Sequence, residues 1–143
     1  MNFWDSSAII PFCLDEEMSP VIAEIARKDS GLVVWWGTQV EVYSAFARQK
    51  RDGSISTASE TASLSILSEL ADFWTEIEPS DEIRDIARRI LQIHPLRAAD
   101  SLQLAAAILW SGKRPKGHHF VCLDARLREA ARKEGFVLLP SAM

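Results

Sequence analysis

Phe120-Val121-Cys122-Leu123-Asp124 decides the fold: four apolar residues in a run of strand length, with no polar alternate, closed by a carboxylate. A strand with one wet face alternates apolar and polar residues. A strand that is apolar at every position is buried on both faces, as in a parallel sheet covered by helices. Leu32-Val33-Val34-Trp35-Trp36 repeats the pattern and Phe136-Val137-Leu138-Leu139 gives a third instance, while residues 2–5 and 74–78 read as shorter strands.

Helical patterns fill the intervals. Ser19-Pro20 reads as a cap followed by proline at the first helical position, with Val21, Ile22, Ile25 and Ala26 as the apolar face. A helix from Thr38 to about Lys50 follows the second strand, and Leu64, Leu67, Leu70 and Ala71 recur at helical spacing within 56–73. Ser80 precedes Asp81 and Glu82, acids that favour a first turn, and the stripe Ile83, Ile86, Ala87, Ile90, Leu91 runs to a break at His94-Pro95. Ala98 to Trp110 is apolar around most of its circumference and reads as a central helix. A short helix from Asp124 to Glu134 is stopped by Gly135. Both-faces-apolar strands alternating with helices predict an α/β fold: one domain over 1–143, a three-layer α/β/α sandwich around a central, mostly parallel sheet.

Composition narrows the classes. A chain of 143 residues is long enough to bury a core without disulfides, and Cys13 and Cys122 have no CxxC spacing and sit among apolar neighbours, so both read as buried thiols. No apolar run approaches the ~20 residues of a membrane span, and no secretory signal pattern is present, so the expectation is a cytoplasmic protein without a membrane partner. Net charge of −4 gives no bulk attraction to nucleic acid. The basic residues nevertheless cluster at Arg48, Lys50, Arg51; at Arg88, Arg89; at Lys113, Arg114, Lys116; and from Arg126 to Lys133. Solvated helix faces explain such clusters, and so does a local basic stripe beside an acidic pocket.

In parallel α/β sheets ligands bind outside the carboxyl ends of the strands. Asp5 ends the first strand, Asp124 ends the strand 120–123, Glu41 lies in the first turn of the helix leaving strand 32–36, and Asp100 is near the start of the central helix. Each has a structural explanation: an Asx-turn for Asp5 with Ser6 and Ser7, a capping box from Thr38 to Glu41, a first-turn acid at Asp100, an N-cap at Asp124. Together they form a candidate site. Converging carboxylates repel unless protonated or joined by a cation, and a hard divalent ion such as Mg²⁺ suits all-oxygen ligands. An acidic cluster with a metal and no nucleophilic side chain suits phosphodiester hydrolysis.

The chain also resembles the PIN-domain family, and within it the VapC-type toxins of toxin–antitoxin pairs. The resemblance lies in Phe3-Trp4-Asp5-Ser6-Ser7-Ala8, in Glu41 with Ala45, Arg48 and Gly53, in Arg97-Ala98-Ala99-Asp100-Ser101-Leu102-Gln103-Leu104-Ala105-Ala106-Ala107, and in Phe120-Val121-Cys122-Leu123-Asp124-Ala125-Arg126-Leu127 with Ala130, Ala131 and Gly135. It implies a PIN-like fold and a Mg²⁺- or Mn²⁺-dependent endoribonuclease that hydrolyses RNA with a metal-activated water. It further implies a cognate antitoxin protein and a toxin homodimer. Asp5, Glu41, Asp100 and Asp124 fall on the family's acidic positions. Asp5 and Asp100 are then the principal metal carboxylates, Asp124 a ligand directly or through water, and Glu41 the group that orients or deprotonates water. Ser6 would hydrogen-bond a carboxylate or the phosphate, and Arg97 would meet phosphate or brace Asp100. Many relatives carry a further acid beside the last one; Ala125 and Arg126 stand there in this chain.

Two other classes compete. A non-catalytic PIN-like module binding RNA or protein would not need four acids. A phospho-accepting signalling domain needs paired acids after the first strand and a late lysine, where this chain has Ser6-Ser7 and Pro140. No phosphate-binding glycine motif is present. His118-His119 reads as surface loop, His94 as a helix-end residue, and all five tryptophans as packing or interface residues.

Overall fold

The computed structural model describes residues 1–143. Five strands, β1 (Asn2–Trp4), β2 (Leu32–Trp35), β3 (Thr75–Ile77), β4 (His119–Val121) and β5 (Val137–Leu139), form one sheet in the order β3-β2-β1-β4-β5. Every neighbouring pair is parallel. Seven helices connect them: α1 (Ser6–Cys13), α2 (Ser19–Lys28), α3 (Thr38–Arg51), α4 (Thr57–Phe73), α5 (Asp81–Ile93), α6 (Ala98–Trp110) and α7 (Ala125–Glu134).

The three inner strands are apolar beyond the first residues of β1 and β4 because both faces are covered, whereas β3, at the sheet edge, carries Thr75 and Glu76. Phe3, Val33, Trp35, Phe120 and Cys122 pack on one side with Ile83, Ala87 and Ile90 of α5, Leu104 to Ile108 of α6, and Leu127, Ala130 and Ala131 of α7. Trp4, Val34 and Val121 point to the other side, against Ala8 and Ile9 of α1, Ile22 of α2, Val42 and Phe46 of α3, and Leu67 of α4. Alternate residues of one strand thus feed two separate cores, giving the three-layer α/β/α arrangement. No helix is long and apolar enough to cross a membrane.

Several local expectations need correction. Residues 6–13 form α1, which lacks an amphipathic period because nearly every residue after Ser7 is apolar. Pro11 lies inside it and forgoes one backbone donor. Ser19 does not cap α2: the cap position is Met18, and the Ser19 hydroxyl donates instead to the Pro11 and Leu14 carbonyls, tying α2 to the end of α1. Trp36 is 51% exposed, since β2 ends at Trp35 and the chain turns away at Gly37. A Cβ at Gly37 would stand 2.5 Å from Trp35 Nε1, so any other residue there would force the Trp35 ring to shift. His119 belongs to β4 and His118 packs edge-on against Trp110, so this pair is not surface loop. Both cysteines are free and buried as expected.

The chain builds β1, β2 and β3 outward in one direction, then returns to lay β4 and β5 on the other side of β1. The strand order therefore reverses between β1 and β4, where the connections leaving adjacent strands diverge and open a crevice at the carboxyl edge. Asp5 follows β1 and Asp124 lies beyond β4, on the two sides of that reversal.

Candidate functional site

A cleft of about 430 Å³ at this edge is lined by Asp5, Glu41, Asp100 and Asp124 together, with Ser6, Ser7, Ser44 and Arg48 among its other walls. The four acids come from four segments, and each stands at the start of a helix. Asp5 is the N-cap of α1, Glu41 and Asp100 lie in the first turns of α3 and α6, and Asp124 is the N-cap of α7. Four helix N-termini thus face one cleft, and their partial positive charge offsets part of the repulsion among the acids.

Asp5 is 2% exposed. Its Oδ2 accepts from the Ser7 N–H at 3.1 Å and the Ser7 hydroxyl at 2.5 Å, and the Cys122 thiol lies 3.5 Å away. The Ser7 hydroxyl oxygen in turn accepts from the Leu123 N–H at 2.9 Å, so one side chain locks the end of β1 to the segment after β4. Burial pushes the Asp5 carboxyl up to about 6 against the pull of these donors, and the Asp100 charge adds to the rise.

Glu41 is not a capping-box acid. Gly37, which has no side chain to cap with, holds the cap position of α3. The Glu41 Oε1 accepts from the Ser6 hydroxyl at 3.0 Å and its Oε2 from Gln103 Nε2 at 3.0 Å. The second Gln103 donor bond goes to Thr38 Oγ1, also 3.0 Å. Burial pushes the Glu41 carboxyl up to about 7, with the Asp5 and Asp100 charges raising it further and the Gln103 and Ser6 donors opposing.

Asp100 is raised chiefly by burial and next by the Asp124 charge; the Arg97 backbone N–H and guanidinium oppose the rise. Asp124 does serve as a cap, its Oδ1 accepting from the Leu127 N–H at 2.9 Å. Ser6 therefore bonds a carboxylate, and Arg97 stands near Asp100 without forming an ion pair to it. Sequence reasoning missed Gln103 and Ser7 as the residues that hold Glu41 and Asp5. The signal for Gln103 was present: a polar side chain in an otherwise apolar stretch of the central helix, one turn beyond Asp100, needs a buried partner.

No three His, Cys, Asp or Glu side chains are drawn together tightly enough to enclose a metal ion as they stand. The donor set still fits a hard divalent cation, which keeps much of its water and needs only one or two direct carboxylates. Asp5 and Asp124 each commit one oxygen to a helix N-terminus and keep the other free of protein donors. Burial first, and the neighbouring acids after it, displace Asp5, Glu41 and Asp100 upward, so the ionised forms of all three are disfavoured in the protein alone. No protein-family model matches the chain, and no curated protein matches it.

Proposed function

We propose that the protein is a PIN-like, Mg²⁺- or Mn²⁺-dependent endoribonuclease, the toxin of a VapC-type toxin–antitoxin pair, acting in the cytoplasm as a homodimer held in check by a cognate antitoxin. The observation that carries the reading is the convergence of Asp5, Glu41, Asp100 and Asp124, from four separate segments, on one cleft at the strand-order reversal. The divalent ion, when bound, supplies positive charge at the phosphate and makes water more acidic. Asp5, Asp100 and Asp124 would hold it, directly or through water. Glu41, lining the same cleft, is placed to take a proton from water. Ser6 and Gln103 fix the direction in which Glu41 presents its oxygens.

The test is cleavage of end-labelled RNA with Mg²⁺ or Mn²⁺ and with EDTA, by the wild type and by Asp5→Asn and Asp100→Asn. Loss of even an outer-sphere partner of a metal costs about 10–100-fold, so each variant should lose at least that much. Undiminished cleavage by either removes its assignment. A calorimetric titration without Mg²⁺ or Mn²⁺ binding would leave a non-catalytic PIN-like module.

A further inference from the structure

A second, smaller cleft of about 280 Å³ adjoins the acidic one and shares Asp100 and Asp124 with it; its other walls are Pro95, Arg97 and Arg126. We propose that Arg97 and Arg126 form a phosphate subsite that grips the RNA backbone next to the acidic cleft. The proposal rests on the ribonuclease reading and adds where the substrate strand is held.

The disposition of the arginines carries the argument. Of eleven in the chain, Arg27, Arg84, Arg88, Arg89 and Arg132 are ion-paired with carboxylates. Arg128 donates to the Cys122 and Pro140 carbonyls. Five remain without a side-chain partner, and three of these, Arg48, Arg97 and Arg126, line the two clefts. Arg97 and Arg126 share a cleft with two carboxylates, yet neither closes onto them. Positive and negative charge stay segregated side by side, as a site for a bound cation and a neighbouring phosphate requires.

Their position in the helices points the same way. Several basic residues follow the helix dipole: Arg27 and Lys28, then Arg48, Lys50 and Arg51, then Arg132 and Lys133 lie in last turns. Two others in first turns have partners there, Arg84 pairing with Asp81 and Arg128 donating to the Cys122 and Pro140 carbonyls. Arg97 occupies the N-cap position of α6 and Arg126 the second residue of α7, the ends where a cation is disfavoured. A phosphate between them reverses that penalty, because helix N-termini and guanidinium forks both favour an anion, and arginine matches two phosphate oxygens at once. Both side chains are exposed and so open to a ligand from solvent.

The test uses fluorescence anisotropy of a labelled single-stranded RNA in EDTA, which prevents cleavage, over a series of salt concentrations. Each phosphate contact contributes about 0.7 to the slope of log affinity against log salt for single strands, so the double variant Arg97→Ala/Arg126→Ala should flatten the slope by about 1.4. With Mg²⁺ present, its KM should rise while kcat holds, the mark of lost uniform binding. The double variant Arg51→Ala/Arg114→Ala, at the end of α3 and in the turn between α6 and β4, removes equal charge away from the clefts and should leave the slope unchanged. If the wild type cleaves RNA and the double variant keeps its slope and KM, the subsite is wrong and the ribonuclease reading stands. If the wild type neither binds nor cleaves RNA, both fall.

Discussion

Glu41→Gln should stabilise the metal-free protein while destroying the candidate site. The replacement is isosteric, and its hydrogen bonds can be kept: the new amide oxygen accepts from Gln103 Nε2, and the new amide nitrogen donates to the Ser6 hydroxyl, which turns to accept. Only the charge is lost. Burial and the neighbouring acids move this carboxyl from 4.5 to about 7. At 1.36 kcal/mol per pKa unit the ionised form costs about 3 kcal/mol, which solvent screening at the partly open cleft reduces to about 2 kcal/mol. For a chain of this size that corresponds to a rise in Tm of about 6 °C. The pH dependence follows from the direction of the shift. Below 4.5 the group is protonated folded or unfolded, and the two proteins are equally stable. As pH rises toward about 7 the unfolded chain sheds a proton that the folded one retains, so the wild type loses stability across that window while Glu41→Gln does not. Thermal melts from pH 4.5 to 8 in EDTA measure the gap directly. A variant no more stable than wild type at pH 8, or a gap that does not change with pH, would refute the claim that burial and the neighbouring acids disfavour the Glu41 charge.

Gln103→Leu removes both donor bonds to Glu41 and Thr38, so the Glu41 carboxyl in chelated protein should titrate above about 7, read by carboxyl-detected NMR; RNA cleavage should fall about 10–100-fold, as for outer-sphere partners generally. A wild-type titration curve in this variant would mean that Gln103 only fills space. Ser7→Ala leaves the Leu123 N–H without its acceptor and Asp5 without its shortest donor. Denaturant unfolding should show a loss of about 1–3 kcal/mol, whereas unchanged stability would mean that water replaces the hydroxyl.

Much of the sheet could be read from the sequence because the decisive property, burial on both faces, is written residue by residue in Leu32–Trp35 and Phe120–Val121. The central helix was readable from end to end for the same reason: Leu104 to Ile108 have no polar face to confuse the period. What escaped was whatever depended on a partner distant in sequence. In α1, the run Ala8 to Cys13 has no polar face and contains Pro11, so nothing local separates it from a loop; packing against Trp4, Val34 and Phe46 makes it a helix. Trp36 resembles its buried neighbours in composition and differs only because the chain turns at Gly37. Gln103 and Ser7 are ordinary polar residues until folding brings Glu41 and the Leu123 N–H within reach.

The site residues were readable in identity but not in kind, because the structural and functional explanations were posed as rivals. For Glu41 they are rivals, and the structure separates them: no capping box forms, and the carboxylate is held by Ser6 and Gln103. For Asp5 and Asp124 they are the same fact. Capping a helix commits one carboxylate oxygen to backbone N–H groups and thereby fixes the direction of the other. Rigid acids at the mouth of a cleft need such anchors, since four flexible carboxylates would swing apart to relieve their repulsion. The reversal of strand order between β1 and β4 supplies the geometry. It brings the ends of two adjacent strands, and the helices that leave them, to one edge, so that the caps of α1 and α7 hold Asp5 and Asp124 against the mutual repulsion that would otherwise open the cleft.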